Sequence, residues 1–93
     1  MQDIREGLLI LESNEVENIE KLYTFDEIRE ILTFALSNSV SEYWTILALN
    51  FLRKKPEYIS DEIILMIKEI IDKPKRYMQK TRHEGLKILK IKI

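Results

Sequence analysis

Residues 42–55 read EYWTILALNFLRKK. Tyr43, Trp44, Ile46, Leu47, Ala48, Leu49, Phe51 and Leu52 leave this stretch apolar on almost every side. A helix apolar nearly all round is a buried one. A bilayer span needs about 20 such residues, so the stretch predicts the central helix of a small core, with neighbours on several sides. Arg53, Lys54 and Lys55 close it with cations, where the helix dipole favours them. Pro56 then prevents continuation. Ser39, followed three residues later by Glu42, predicts a capping box at its start.

Helical patterns continue in both directions. Upstream, Thr24 and Glu27 form a second capping-box pair. They open a helix over 25–37 with Ile28, Ile31, Leu32, Ala35 and Leu36 as its apolar stripe, and Asn38 suits a left-handed stop. Before it, 15–23 reads as a short helix with Val16, Ile19, Leu22 and Tyr23 on one side, or as a helical turn in a longer connection. Ile4, Leu8 and Leu11 repeat at the spacing of one helical face and predict a first helix over 3–12. Downstream, Ser60 is an N-cap for a helix reaching Asp72, built on Ile63, Ile64, Met66, Ile67, Ile70 and Ile71. Pro74 fits the first position of a last helix, predicted over 74–91.

A chain of 93 residues is one domain, 1–93. Its composition, 45% hydrophobic and 33% charged, is that of a folded soluble protein. Only four residues are Gly or Pro, which argues against a loop-rich or β-rich fold. There is no Cys, hence no disulfide, thiolate metal site or thiol nucleophile. No segment is long enough to cross a membrane. The start lacks the basic end and long apolar core of a signal peptide. A cytoplasmic protein is the expectation. Richness in Ile, Lys and Glu suits a thermophile, or equally an AT-rich genome.

Two internal matches organise the helices. EGLLIL (6–11), LALNFL (47–52) and EGLKIL (84–89) share a small residue (Gly7, Ala48, Gly85) followed directly by Leu. DEIREILTFAL (26–36) matches DEIILMIKEII (61–71). The small residues lie 41 and 37 positions apart, and the DEI starts 35 apart. Two-helix units at such periods signal an α-solenoid. Gly inside a helix costs about 1 kcal/mol against Ala, which is tolerable where it lets another helix approach closely.

On these residues the chain resembles the HEAT and armadillo-like helical repeats. The likeness covers most of the chain, as two helix pairs plus a third unpaired helix. The connection over 12–23 is longer than such repeats need, and the mid-helix Pro and basic second-helix position of the HEAT consensus are absent. The fold expected is all-α, a short HEAT-like solenoid of about five to six antiparallel helices, with a closed five-helix bundle as the alternative. The resemblance implies a protein-binding scaffold.

The last helix lacks a second helix of its own, and the chain is apolar to its final residue. Met78, Leu86, Ile88, Leu89, Ile91 and Ile93 are therefore the expected interface with a second copy, since symmetric dimers commonly close such a surface. Folding of this helix onto the first two is the alternative.

Charge is segregated. Residues 1–30 hold nine acids and three bases, whereas 73–93 hold eight bases and one acid. At 100° per residue, Arg76, Lys80, His83, Lys87 and Lys90 fall within an arc of about 80°. This cationic ridge reads as a solvated face, as a surface meeting the acidic Glu12, Glu15, Glu17, Glu20 edge of a copy or another protein, or as a nucleic-acid backbone site. Against nucleic acid stand the acidic overall balance and the lack of aromatics among the bases.

Catalysis has little to stand on. His83, the single His, has Gln79 and Lys87 one turn away, neither a metal ligand. No Gly-rich phosphate loop, nucleophile motif or zinc spacing appears, and no cofactor is expected. Tyr43 and Trp44 read as core rather than a ligand cage. Tyr58 reads as packing beside Ile59; an exposed Tyr58 would favour a groove. The expectation is a non-enzymatic interaction module that self-associates through its last helix. The alternative is a nucleic-acid-associated protein using the ridge.

Overall fold

The structure, a computed structural model, describes residue 11 and residues 16–37 and 40–92. It is all-α: among the described residues there are five α-helices, one 3₁₀ turn and no strand. The expected first helix lies outside the described residues except for Leu11, which is helical and buried. Gly7, the first of the three small residues, also lies outside them.

Helix α1 (Val16–Leu22) buries Ile19 and the following Tyr23. Leu22, expected on the same side, is instead 56% exposed. Ile19 and Tyr23 are four apart and share a face, while Leu22 is rotated out of it. Helix α2 (Phe25–Ala35) starts on the predicted capping box: Thr24 donates its N–H to Glu27 Oε1 at 2.8 Å, and Glu27 N–H reaches Thr24 Oγ1 at 3.2 Å. Its predicted stripe is buried throughout, Leu36 included.

Helix α3 (Glu42–Lys54) is the core helix, but not on every side. Ala48, Leu49, Phe51 and Leu52 are buried, Trp44, Ile46 and Leu47 are half-buried, and Tyr43 and Asn50 face outward. Thr45 is fully buried and donates its hydroxyl to Ala35 O at 2.9 Å. That satisfies a carbonyl left free by the end of α2. Lys55 sits outside the helical region (φ −131°, ψ 74°), as the residue before a proline must. The 3₁₀ turn Pro56–Tyr58 buries Tyr58 and delivers the chain to α4 (Asp61–Ile71). Ser60 caps α4 through Ile63 N–H at 3.2 Å. Ile63, Ile67 and Ile70 are buried.

Helix α5 (Gln79–Lys92) begins five residues later than the sequence predicts. Lys73 O accepts from both Arg76 and Tyr77 N–H, so the chain after Pro74 closes a single turn. Tyr77 is then buried in the core. The helix starts only where Glu42, at the head of α3, accepts Met78 N–H at 2.8 Å and the Thr81 hydroxyl. The box expected between Glu42 and Ser39 falls on a residue outside the described ones. Ser41 precedes α3 without a side-chain cap.

α5 packs against both α3 and α4. Thr81, Gly85 and Ile88 form its buried line, with Leu89 half-buried against the core. A Cβ on Gly85 would stand 3.1 Å from Ile67 Cγ2 and 3.4 Å from Ile71 Cγ1. The small residue is the notch that lets α4 come close. Ala48, its counterpart in α3, is fully buried. No helix among the described residues is long and apolar enough to cross a membrane.

Candidate interaction surface

With Thr81, Gly85 and Ile88 inward, the periodicity of α5 sends Lys80, His83, Lys87 and Lys90 outward. All four are exposed. Lys80, His83 and Lys90 make no ion pair or hydrogen bond with the described residues, whereas Lys87 reaches Glu84 Oε1 at 3.4 Å. Arg76 belongs to the preceding turn. Its guanidinium lies over the Tyr77 ring (4.9 Å to the centroid) and donates to Val40 O at 3.1 Å. The ridge thus has four members on one helix, with the fifth engaged by its own chain.

Glu84 borders the ridge and ties α5 to α3. Arg53 Nη1 lies 2.8 Å from Glu84 Oε2. Burial pushes this carboxyl up, but the hydrogen bonds and charges of Arg53 and Lys87 outweigh it and hold the group below the ordinary carboxylate range.

The expected apolar interface divides in two. Ile88 is fully buried within its own chain and Leu89 is half-buried, so Ile88 belongs to the core and is closed to a partner. Met78, Leu86 and Ile91 are 58%, 42% and 51% exposed. Ile93 lies outside the described residues. Leu86 is one turn from both His83 and Lys90, so an apolar side chain flanks the ridge directly.

The acidic edge expected to meet this ridge is largely out of view. Glu12 and Glu15 lie outside the described residues. Glu20 accepts the Tyr58 hydroxyl at 2.8 Å and pairs with Lys55 Nζ at 3.3 Å. The Tyr58 hydrogen bond holds the Glu20 carboxyl below its usual range, against a smaller upward push from burial and with help from Lys55. Tyr58 is itself buried. Its ring stacks on Phe25 at 4.5 Å and meets Phe51 edge-on at 5.5 Å. Burial first, then the hydrogen bond and charge of Glu20, push its phenol up to about 12. Tyr58 is therefore packing, as expected. Trp44 packs against the core with the exposed Tyr43 edge-on beside it.

A feature the sequence reading did not single out lies on α2 and α4. A cleft of about 600 Å³ runs between them, with Phe34 and Met66 as half-buried apolar lining and Asp26, Glu30, Glu62 and Arg29 at its sides. Further hollows continue it towards Phe25 and Asp61 at one end and Glu69 and Lys73 at the other. Phe25 faces Ser60–Glu62 and Ser37 faces Met66, so α2 and α4 run side by side in the same sense. The shared DEI pattern carries only part of the signal for this: Asp26 and its match Asp61 both border the seam, whereas Glu30 and Glu69 stand opposite Leu65 and Phe34 in the alignment. Arg29 is the base among these acids, and its guanidinium is 5.9 Å from the centroid of the Phe25 ring. No group of His, Asp and Glu able to hold a metal ion occurs among the described residues.

No protein-family model matches this chain, and neither the curated proteins nor the solved structures give a significant match.

Proposed function

We propose that this chain is a non-catalytic helical interaction module that self-associates through α5. One observation carries the reading. The helix that finishes the core presents, on its outer face, four bases with the exposed Leu86 and Ile91 among them. Apolar anchors rimmed by charge are the make-up of a protein interface. The HEAT-like arrangement is part of the same proposal. Its support is the close approach at Gly85, the burial of Ala48, and the parallel course of α2 and α4.

Sedimentation velocity across a concentration series tests it. The expected result is a species heavier than the 11.2 kDa chain that grows with concentration. A monomer at every concentration overturns the proposal. Binding of a nucleic-acid backbone by the same ridge is the second reading, favoured by Lys80, His83 and Lys90 being exposed and unengaged. A gel shift in low salt decides that point, because phosphate contacts weaken steeply as salt rises.

A further inference from the structure

The acidic cleft between α2 and α4 and the cationic face of α5 lie on different helices of one chain, and they match in three respects. The first is charge. Asp26, Glu30 and Glu62 line the cleft with Arg29 among them, and Glu69 and Lys73 extend it, so acids outnumber bases there by four to two. Asp26 and Glu62 also serve the dipoles of their helices, but Glu30 and Glu69 lie beyond the first turns and have no such role. The second is length. The two 11-residue helices give a seam of roughly 16 Å, and Lys80 to Lys90 spans about 15 Å at the same rise per residue. The third is apolar content. Phe34 and Met66 give the cleft a half-buried apolar lining between its acids, and the exposed Leu86 lies one turn from His83 and Lys90 on the ridge.

We propose that self-association is head-to-tail: α5 of one copy lies with its cationic face in the α2–α4 cleft of the next. This rests on the reading of α5 as the self-associating helix, and it adds the surface that receives it. The occupant is a second copy because this chain itself supplies a helix of the complementary charge and length. A contact between two different surfaces is heterologous. Each pair leaves one free cleft and one free ridge, so assembly continues into a ring or filament instead of stopping at a two-fold dimer.

Two neutralising variants test this. Lys80→Gln with Lys90→Gln blunts the ridge, and Glu30→Gln with Glu69→Gln blunts the cleft. All four positions are exposed, and Gln is a good helix former. Circular dichroism and a thermal melt matching the wild type confirm that each variant is folded. By sedimentation velocity, the wild type is expected to assemble and each variant alone to stay monomeric. Their equimolar mixture is expected to recover a pair that stops at two chains, since it holds only one intact ridge and one intact cleft per pair. Assembly by the cleft variant, with loss in the ridge variant, overturns the head-to-tail arrangement while leaving self-association through α5 standing. A mixture that remains monomeric also overturns the arrangement. Assembly by both variants, or a wild type that is monomeric throughout, removes the role of α5 and this inference with it. A monomeric wild type whose cleft binds a synthetic basic amphipathic helix assigns the cleft to another protein and overturns the proposal equally.

Discussion

Tyr58 shows how much one side chain can decide in a core this small. It sits in a single 3₁₀ turn, yet it stacks on Phe25 of α2, meets Phe51 of α3 and hydrogen-bonds Glu20 of α1. Three helices are tied at one ring. Its phenol is raised from 10.0 to about 12, chiefly by burial, and the consequence for stability has a definite sign. Below pH 10 the folded and unfolded chains both keep the proton. Above it the unfolded phenol releases first, so the unfolded state gains until the folded phenol ionises as well. Stability is therefore expected to fall between about pH 10 and pH 12. Tyr58→Phe is expected to cost about 1 kcal/mol at neutral pH, the worth of one hydrogen bond, and to make that alkaline decline shallower. Urea unfolding of both proteins at pH 8 and pH 11 measures it. Equal losses in the two would show that Tyr58 is not the group responsible.

The helices differ in how far their ends are set locally. Thr24 with Glu27, and Ser60 with Ile63 N–H, are pairs three residues apart, and both starts were legible in the sequence for that reason. α5 has no such pair. Its first turn is held by Glu42, 36 residues from Met78. Glu42 supplies the carboxylate that a Glu inside α5 would supply in an ordinary capping box. Glu42→Ala is expected to cost about 1–2 kcal/mol, as loss of a cap does. Amide exchange should speed up from Met78 to Arg82 and change little from Gly85 to Leu89. Uniform protection along α5 after the substitution would refute a capping role. The same distinction explains the rest of the sequence reading. The stripes of α2 and α4 obey the helical period and were legible, as was the Gly85 notch. The late start of α5 and the commitment of Glu20 to Tyr58 depend on partners far along the chain, which no local pattern encodes. The α2–α4 cleft was legible only in part: Asp26 repeats as Asp61, but Glu30 and Glu69 have no acidic counterpart, and only the fold brings those helices side by side.

A folded chain of 93 residues has roughly 5–14 kcal/mol of stability in all, so each core side chain of α5 is a large share. The sequence placed Leu86 and Ile88 together on one expected interface. The fold separates them, because two residues along a helix is a rotation of about 200°. Ile88 is fully buried between α5 and its neighbours, and Leu86 is 42% exposed beside the cationic ridge. Ile88→Ala removes buried methyl and methylene groups from a packed site and is expected to cost about 2–5 kcal/mol. The melting temperature should drop sharply, with any loss of assembly following from unfolding. Leu86→Ala is a surface change and should leave stability within about 0.5 kcal/mol. If α5 is the associating helix, however, Leu86→Ala should weaken assembly by removing an apolar anchor. Thermal melts at a concentration where the wild type is monomeric, paired with sedimentation at a concentration where it assembles, separate the two effects. A Leu86→Ala protein that melts and assembles like the wild type would remove Leu86 from the interface. A stable Ile88→Ala protein would mean that α5 does not close the core, and that its buried side has been assigned to the wrong partner.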